Sequence, residues 1–368
     1  MKRVVIEAGR HARAACPVVA PWDGPAPEGL AAEGVLTAAQ AHDQGLAFVL
    51  PTLAAESRAA LDAAPAAPPG AGVSLRDNGK QVDVEIGGRL FTSYHYADVP
   101  ARPYLWPVMA PGEVQATRAY PMIPDVAGET HDHKHHRSMY FAYGDVNGAD
   151  NWSEEPGHGR TEHRTIDRIV SGPVYGLLET TSDWLGAAGE HVLQQKLALT
   201  FWNTGADLRM VDVDLRLTAD AGDVRFGDTK EGGLISFRVA SSMDVPRGGK
   251  IENSWGGINE PENWGLAAHW CDYSGTAEGK AVGICVMDHP DSFRYPTYWH
   301  VRDYGLFTAN PFALHDYTQG RKEGSHLLKQ GETLRFRYRA LIHAGDAGAL
   351  DARARYLDFV APPRAAGE

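Results

Sequence analysis

Cysteine is scarce in this 368-residue chain: Cys16, Cys271 and Cys285 are the only three, and no two form a CxxC pair. Such a set argues against a disulfide framework or a thiolate zinc site and suits a reducing compartment. No apolar run approaches the roughly 20 residues that a bilayer-spanning helix needs. The start, MKRVVIEAGRHARAAC, has early positive charge but no apolar stretch behind it, so it does not read as a secretory signal. The expectation is a cytoplasmic protein with no membrane partner. A basic stripe is missing too. The formal net charge is −12, whereas nucleic-acid binders cluster Lys and Arg, so no nucleic-acid partner is expected. There is no GxGxxG or Walker loop after a strand, no GxSxG elbow and no HExxH. Nucleotide binding, nucleophilic serine chemistry and a zincin site therefore lack support.

Hydrophobic residues make up 43% of the chain, enough for a large core, and their spacing is that of strands. Val82 to Ile86 alternates, Gly87-Gly88 supplies the positive-φ positions of a tight hairpin, and Arg89 to Tyr96 runs back. Val211, Val213, Leu215 and Leu217 share one strand face, opposite Asp212, Asp214 and Arg216. Leu334, Phe336, Tyr338 and Ala340 alternate likewise with Arg335, Arg337 and Arg339. Val282 to Met287 reads as a strand buried on both faces. Beyond residue 72, only Ala349 to Val360 has a helical pattern. The predicted fold is mainly β: a large antiparallel β-sandwich with a C-terminal helix. The run APAAPPGAG from Ala64 to Gly72 reads as a linker. It separates a small N-terminal β-rich subdomain, residues 1–70, from a sandwich domain, residues 73–368. Within the first, Val4 to Ile6 and Leu46 to Leu50 read as strands and the stretch after Thr52 as a helix.

Three segments concentrate the side chains that do chemistry. The first is His131-Asp132-His133-Lys134-His135-His136-Arg137, followed by Ser138-Met139-Tyr140-Phe141. If it enters a strand, His131, His133, His135 and Arg137 share one face, and Asp132, Lys134, His136, Ser138 and Tyr140 the other. A His-x-His pair on a strand aims two imidazoles at one spot. A divalent metal is thus an alternative to acid–base chemistry, with a third ligand from His163 or His300. A solvated turn is the plainer reading. The segment runs on to Trp152, and Asp145, Asn147 and Trp152 offer hydroxyl partners beside an aromatic face, although each alone also suits a β-turn.

The second segment, FGDTKEGG from Phe226 to Gly233, sets Asp228, Lys230 and Glu231 between glycines. A Lys beside a Glu can be an acid–base or charge-stabilising device, or a solvated loop. The third, Tyr298 to Gly305 and on to Asn310, brings His300 and Arg302 to one face if extended. There Asp303 could orient a histidine, and aromatics such as Tyr304 could wall a sugar site. A structural Arg–Asp pair is the competing reading.

Together, HDHKHHRSMYFAYGDVNGADNW at 131–152, FGDTKEGGLISFRVA at 226–240 and DHPDSFRYPTYWHVRDYGLFTANPF at 288–312 resemble a bacterial family of unknown function labelled PmoA-like, or methane oxygenase PmoA. Asn253-Ser254, Asn263-Trp264-Gly265, Trp270 and Tyr273-Ser274-Gly275 add to the likeness, which spans most of residues 95–345. Members usually read D-H-P-H-H-R-G at the first motif. Asp132, His133, His135, His136 and Arg137 match it, while Lys134 replaces Pro and Ser138 replaces Gly, departures that touch turn shape more than chemistry. Members are similar to galactose-mutarotase-like β-supersandwich proteins, which include sugar epimerases, lyases and glycosidase domains. The resemblance implies that fold and a small carbohydrate substrate.

The expectation is a carbohydrate-active enzyme that cleaves a small glycoside, by hydrolysis or by elimination from a keto-sugar. Hydrolysis commonly uses two carboxyl groups, which Glu231 with Asp303, Asp228 or Asp145 could supply. Elimination needs a base and a cation for the enolate, met by a histidine with Lys230 or Arg137. The expected catalytic groups are His133, His136, Lys230, Glu231 and His300. The expected substrate contacts are His135, Arg137, Tyr140, Asp145, Asn147, Trp152, Asp228, Arg302, Asp303, Tyr304 and Asn310. No cofactor is expected beyond the metal alternative. The competing functions are a sugar mutarotase or epimerase and a non-catalytic sugar-binding protein, and self-association into a homo-oligomer stays open. The density of ionisable groups favours catalysis over binding alone.

Overall fold

The computed structural model describes residues 2–32, 35–65, 67 and 70–368. Met1, and Ala66, Pro68 and Pro69 of the expected linker, lie outside the described residues; Ala64 closes the strand Arg58–Ala64.

Two eight-stranded antiparallel sheets make the sandwich. In spatial order the first comprises Trp299–Val301, Leu306–Ala309, Gly232–Arg238, Met139–Tyr143, Tyr104–Leu105, Arg89–His95, Gln81–Ile86 and Val73–Asp77. The second comprises Arg160–Val170, Tyr175–Leu185, His191–Trp202, Leu208–Thr218, Thr333–Ala344, Lys280–Asp288, Trp270–Ala277 and Lys250–Asn253. The alternation in the sequence explains how they pack. Val211, Val213, Leu215, Leu217, Leu334, Phe336, Tyr338 and Ala340 all enter one core with Val82, Val84 and Ile86 of the first sheet. On the far side of the second sheet Asp212 stands opposite Arg339 and pairs with it at 2.6 Å, so these charges serve cross-strand contacts. The hairpin glycines Gly87 and Gly88 take φ of 64° and 75°.

A third sheet of seven strands draws on residues 3–64 and, at one edge, on Arg364–Gly367, which pairs Val4 with Gly367 and Glu7 with Arg364. The helix expected after Thr52 is replaced by strand: Gly45–Leu53 continues through it, the chain turns at Glu56 (φ 57°), and Arg58–Ala64 returns to pair with Arg3–Glu7. Alanine-rich sequence favours helix locally, and strand pairing overrides that weak preference. The C-terminal helix is in two pieces, Ala347–Leu350 and Ala352–Val360. The break is Asp351 (φ 54°), whose side chain accepts from Ala354 N and caps the second piece. Ala47 of the N-terminal sheet and Phe359 of this helix pack with Tyr175, Trp202, Met210 and Leu341 on the outer face of the second sheet. The three cysteines are free and buried. No helix among the described residues is long and apolar enough to cross a membrane.

The outer face of the first sheet is the one that matters for chemistry. Met139, Phe141 and Tyr143 point into the core, so Tyr140 and Ala142 point outward with Tyr104, Trp152 and Leu306. Register sets Tyr140, Ser236, Thr308 and His300 level across four neighbouring strands. The three chemistry-bearing segments thus belong to adjacent strands far apart in sequence.

Candidate active site

The histidine segment does not enter its strand. Residues 131–138 form a loop and strand begins at Met139, so the expected alternation of side chains fails. His133 (φ 44°) and Ser138 (φ 59°) are left-handed, and His136 N bonds back to His133 O at 2.9 Å. Buried Arg118 holds the loop from inside, donating to Asp132 Oδ1 at 2.5 Å and to His133 O at 3.0 Å. Buried Arg238 also donates to Asp132 Oδ1, at 2.8 Å.

The rings then stack. His133 lies over His136 at 4.8 Å with planes 2° apart, and against Tyr304 at 5.1 Å and 8°. Trp152 meets His136 and His135 edge-on at 5.4 and 5.8 Å. Burial pushes the Asp132 carboxyl upward, but His133, Arg238 and Arg118 outweigh it and hold Asp132 well below the usual carboxylate range. Asp132 is therefore an acceptor, and His133 Nδ1 donates to its Oδ2 at 2.8 Å. His133 Nε2 stays free on a side chain that is 41% exposed. His136 is only 1% exposed; burial, then His135 and Arg238, carry its pKa well below the ordinary value. Burial, then Arg102 and His133, bring His135 down to about 4.

Lys230 and Glu231 form an ion pair whose side chains are 37% and 48% exposed. Burial works upward on Glu231, but the bond from Lys230 and the nearby His300 and His135 carry it below its ordinary value. Its charge acts on Tyr304 as well, so the three segments meet electrostatically. The loop is pinned from behind. Gly144 N donates to Glu231 O at 2.8 Å, and Asn310 Nδ2 to Thr229 O at 3.0 Å. His300 Nδ1 donates to Lys230 O at 2.6 Å, and Arg302 Nε donates to His300 Nε2 at 3.2 Å. Burial and Arg302 lower His300 to about 4. With both ring nitrogens engaged, His300 positions the Lys230 loop, and the catalytic role expected of it gives way to that. Asp303 does not orient a histidine: its Oδ1 accepts from Glu260 N at 2.9 Å, and Glu260 Oε1 accepts from Arg302 Nη1 at 2.5 Å. Lys230, Glu260, Trp264, Arg302, Asp303 and Asp316 line a cavity of about 760 Å³, a size that suits a small saccharide.

Other expected contacts serve the fold. Arg137 is locked in a two-bond fork with Glu154 at 2.8 and 2.9 Å, so it is not a free cation for an enolate. Asp145 caps Gly148 N at 3.0 Å, and Asn147 accepts from Arg225 N at 2.7 Å, so both hold a turn. Asp228 accepts from His315 N at 2.9 Å and from Gly324 N. Tyr140 and Trp152 are fully buried and form the floor beneath the histidines, not an open sugar platform.

Among the described residues no group of three or more His, Cys, Asp or Glu is arranged to hold a metal ion. An imidazole lone pair lies in the ring plane, so the parallel rings of His133 and His136 cannot aim at one point. His163 sits elsewhere, against Tyr96 at 4.5 Å.

Sequence reading missed Arg118, Arg238, Glu260 and Asp132's part as the hub of the loop. Arg238 had a signal, since alternation places it on the outward face with Ser236; Arg118 lies in none of the three segments.

No curated protein sequence matches this chain. Solved structures that resemble it do so distantly. An alpha-mannosidase from Enterococcus faecalis V583 is 8% identical with a TM-score of 0.45, over 100% of this chain and 46% of that one. Heparan sulfate lyase HepC from Pedobacter heparinus is 11% identical, TM-score 0.29, over 87% and 36%. A candidate aldose 1-epimerase from Escherichia coli K12 is 12% identical, TM-score 0.27, over 75% and 100%. The chain thus spans about half the length of the mannosidase. Residues 81–356 match a family model, and the chain belongs to that family, the family of unknown function DUF6807.

Proposed function

We propose that the protein is a cytoplasmic, carbohydrate-active enzyme that cleaves a small glycoside by proton transfer, with elimination from a keto-sugar as the route. The observation that carries this reading is the Asp132–His133 dyad. A carboxylate kept ionised by two arginines fixes one ring nitrogen and leaves the other as an open base. The likeness of the three segments to PmoA-like proteins supports a sugar as the substrate.

Hydrolysis by a carboxyl pair fits less well. Asp228, Asp145 and Asp303, the expected partners of Glu231, are each occupied by backbone N–H groups. Glu231 itself is kept ionised by Lys230, so it anchors the ammonium and does not serve as an acid.

In the elimination, His133 Nε2 takes the proton from the carbon beside the ketone, and the electron pair forms the enolate. The enolate re-forms the ketone, makes a C=C bond and breaks the glycosidic C–O bond at the next carbon. The leaving oxygen takes a proton from the Lys230 ammonium. His133 then yields its proton to solvent, and Lys230 regains one, so protons balance and no oxidant is consumed.

Turnover of glycosides and of their keto forms tests this. The keto form should give an unsaturated ketone, and His133→Ala should slow it by about 10²–10⁴-fold with the fold intact. Cleavage of unoxidised glycosides only, or turnover indifferent to His133, would overturn the reading.

A further inference from the structure

We infer that His133 and His136 are a matched base and hydrogen-bond donor for a carbonyl-activated carbon, and that Arg238 is the positioning residue that fixes their opposite proton complements. The inference rests on the elimination reading and assigns the group that meets the enolate oxygen.

One carboxylate and one guanidinium occupy the same edge of both rings. Asp132 Oδ2 takes the proton of His133 Nδ1 at 2.8 Å, and Asp132 Oδ1 accepts from Arg238 Nη2 at 2.8 Å. Arg238 Nη1 reaches His136 Nδ1 at 3.3 Å. A guanidinium can only donate, so His136 Nδ1 holds a lone pair and its proton is on Nε2. A carboxylate accepts, so His133 has its proton on Nδ1, and the neutral ring carries its lone pair on Nε2. The rings are 4.8 Å apart and parallel within 2°. In each ring Nε2 is therefore the nitrogen that the Asp132–Arg238 pair leaves over, an acceptor on His133 and a donor on His136. Unlike Tyr140 Oη and Trp152 Nε1, the Nε2 of His136 is not among the sealed nitrogens and oxygens that lack a partner.

That arrangement fits proton removal next to a carbonyl group. The C–H bond breaks, its proton goes to His133 Nε2, and the electron pair makes the carbonyl oxygen an oxyanion facing His136 Nε2–H. Burial and the neighbouring His135 and Arg238 keep His136 uncharged, and a neutral imidazole can polarise a carbonyl without becoming a competing acid. Of the cations expected for this task, Arg137 is locked to Glu154, and Lys230, held beside Glu231, is assigned to the leaving oxygen. Arg238 is itself held by Thr130 Oγ1 at 3.2 Å and lies 4.8 Å over the Tyr304 ring, so its fork has little freedom.

The experiment follows hydrogen exchange in deuterated water on a keto-hexose that has no glycosidic substituent, alongside cleavage of the keto-glycoside. Exchange should occur with the wild type. It should fall by about 10²–10³-fold in His136→Ala, the usual cost of losing one oxyanion donor, and recover in part in His136→Gln, which restores an N–H. Arg238→Lys should lower exchange and cleavage together while KM changes little. Nitrogen NMR of the wild type should find His136 neutral and protonated on Nε2. A His136 protonated on Nδ1, or exchange indifferent to His136 while cleavage proceeds, overturns the inference and leaves the elimination reading standing. Absence of both exchange and cleavage overturns both.

Discussion

A side chain's capacity for chemistry here depends on which of its atoms are already taken. His133, in the loop before Met139–Tyr143, and His300, in the strand Trp299–Val301, are the same residue type, yet one keeps a nitrogen open and the other has none free. Asp288 makes the same point for a carboxyl. It is fully buried, its Oδ2 accepts from Thr297 N at 2.8 Å, its Oδ1 has no partner, and burial pushes its pKa up to about 7. The folded protein therefore holds this proton more tightly than the unfolded chain, whose Asp stays near 3.8. The stability this contributes is complete below about 3.8 and is lost as pH rises towards about 7. Asp288→Asn should remove that slope and leave the variant more stable than wild type above neutral pH. The gain should be a few kcal/mol at most, since one pKa unit is worth about 1.4 kcal/mol. Urea midpoints at acidic and alkaline pH check this; parallel stability curves for the two proteins would count against it.

At the scale of the element, the strand Gly232–Arg238 depends on having no side chain at Gly233. A Cβ there would lie 1.2 Å from Thr308 Oγ1 and 2.6 Å from Ser236 Oγ. Gly233→Ala should cost about 1–3 kcal/mol by overpacking, and adding Thr308→Ala should recover part of it, as denaturant unfolding would measure. Strands of this kind were legible in the sequence because alternation is local: Val211 to Leu217 and Leu334 to Ala340 declare their inner faces residue by residue. The histidine loop was not. Its shape follows from Arg118 and Arg238 drawing Asp132 inward, and neither arginine is near it in sequence. Local composition also misled at Asp145 and Asn147, because turn residues and sugar-binding residues are drawn from the same few types. That the three segments lie on one sheet could not be read from the sequence, since strand order fixes it and strand order is a long-range property.

The whole molecule is a sandwich with a sheet and a helix fastened to its back. Arg13 is one fastening: it donates to Asp358 Oδ1 at 3.2 Å and to Ala361 O at 2.7 Å from a buried position. Arg13→Ala should cost about 3 kcal/mol, near the low end for breaking a buried pair, because Arg355 still faces Asp358 at 3.1 Å. The loss should show as faster amide exchange in the N-terminal sheet, with the sandwich unchanged. Uniform loss of protection across both would mean that the layers unfold as one. The edge of that sheet has a further consequence. Arg3–Glu7 is made long before its neighbour Arg364–Gly367. Throughout synthesis, a row of unpaired backbone groups stands open for any other extended chain to join. A chain released before residue 364 would keep that edge open and be prone to clumping.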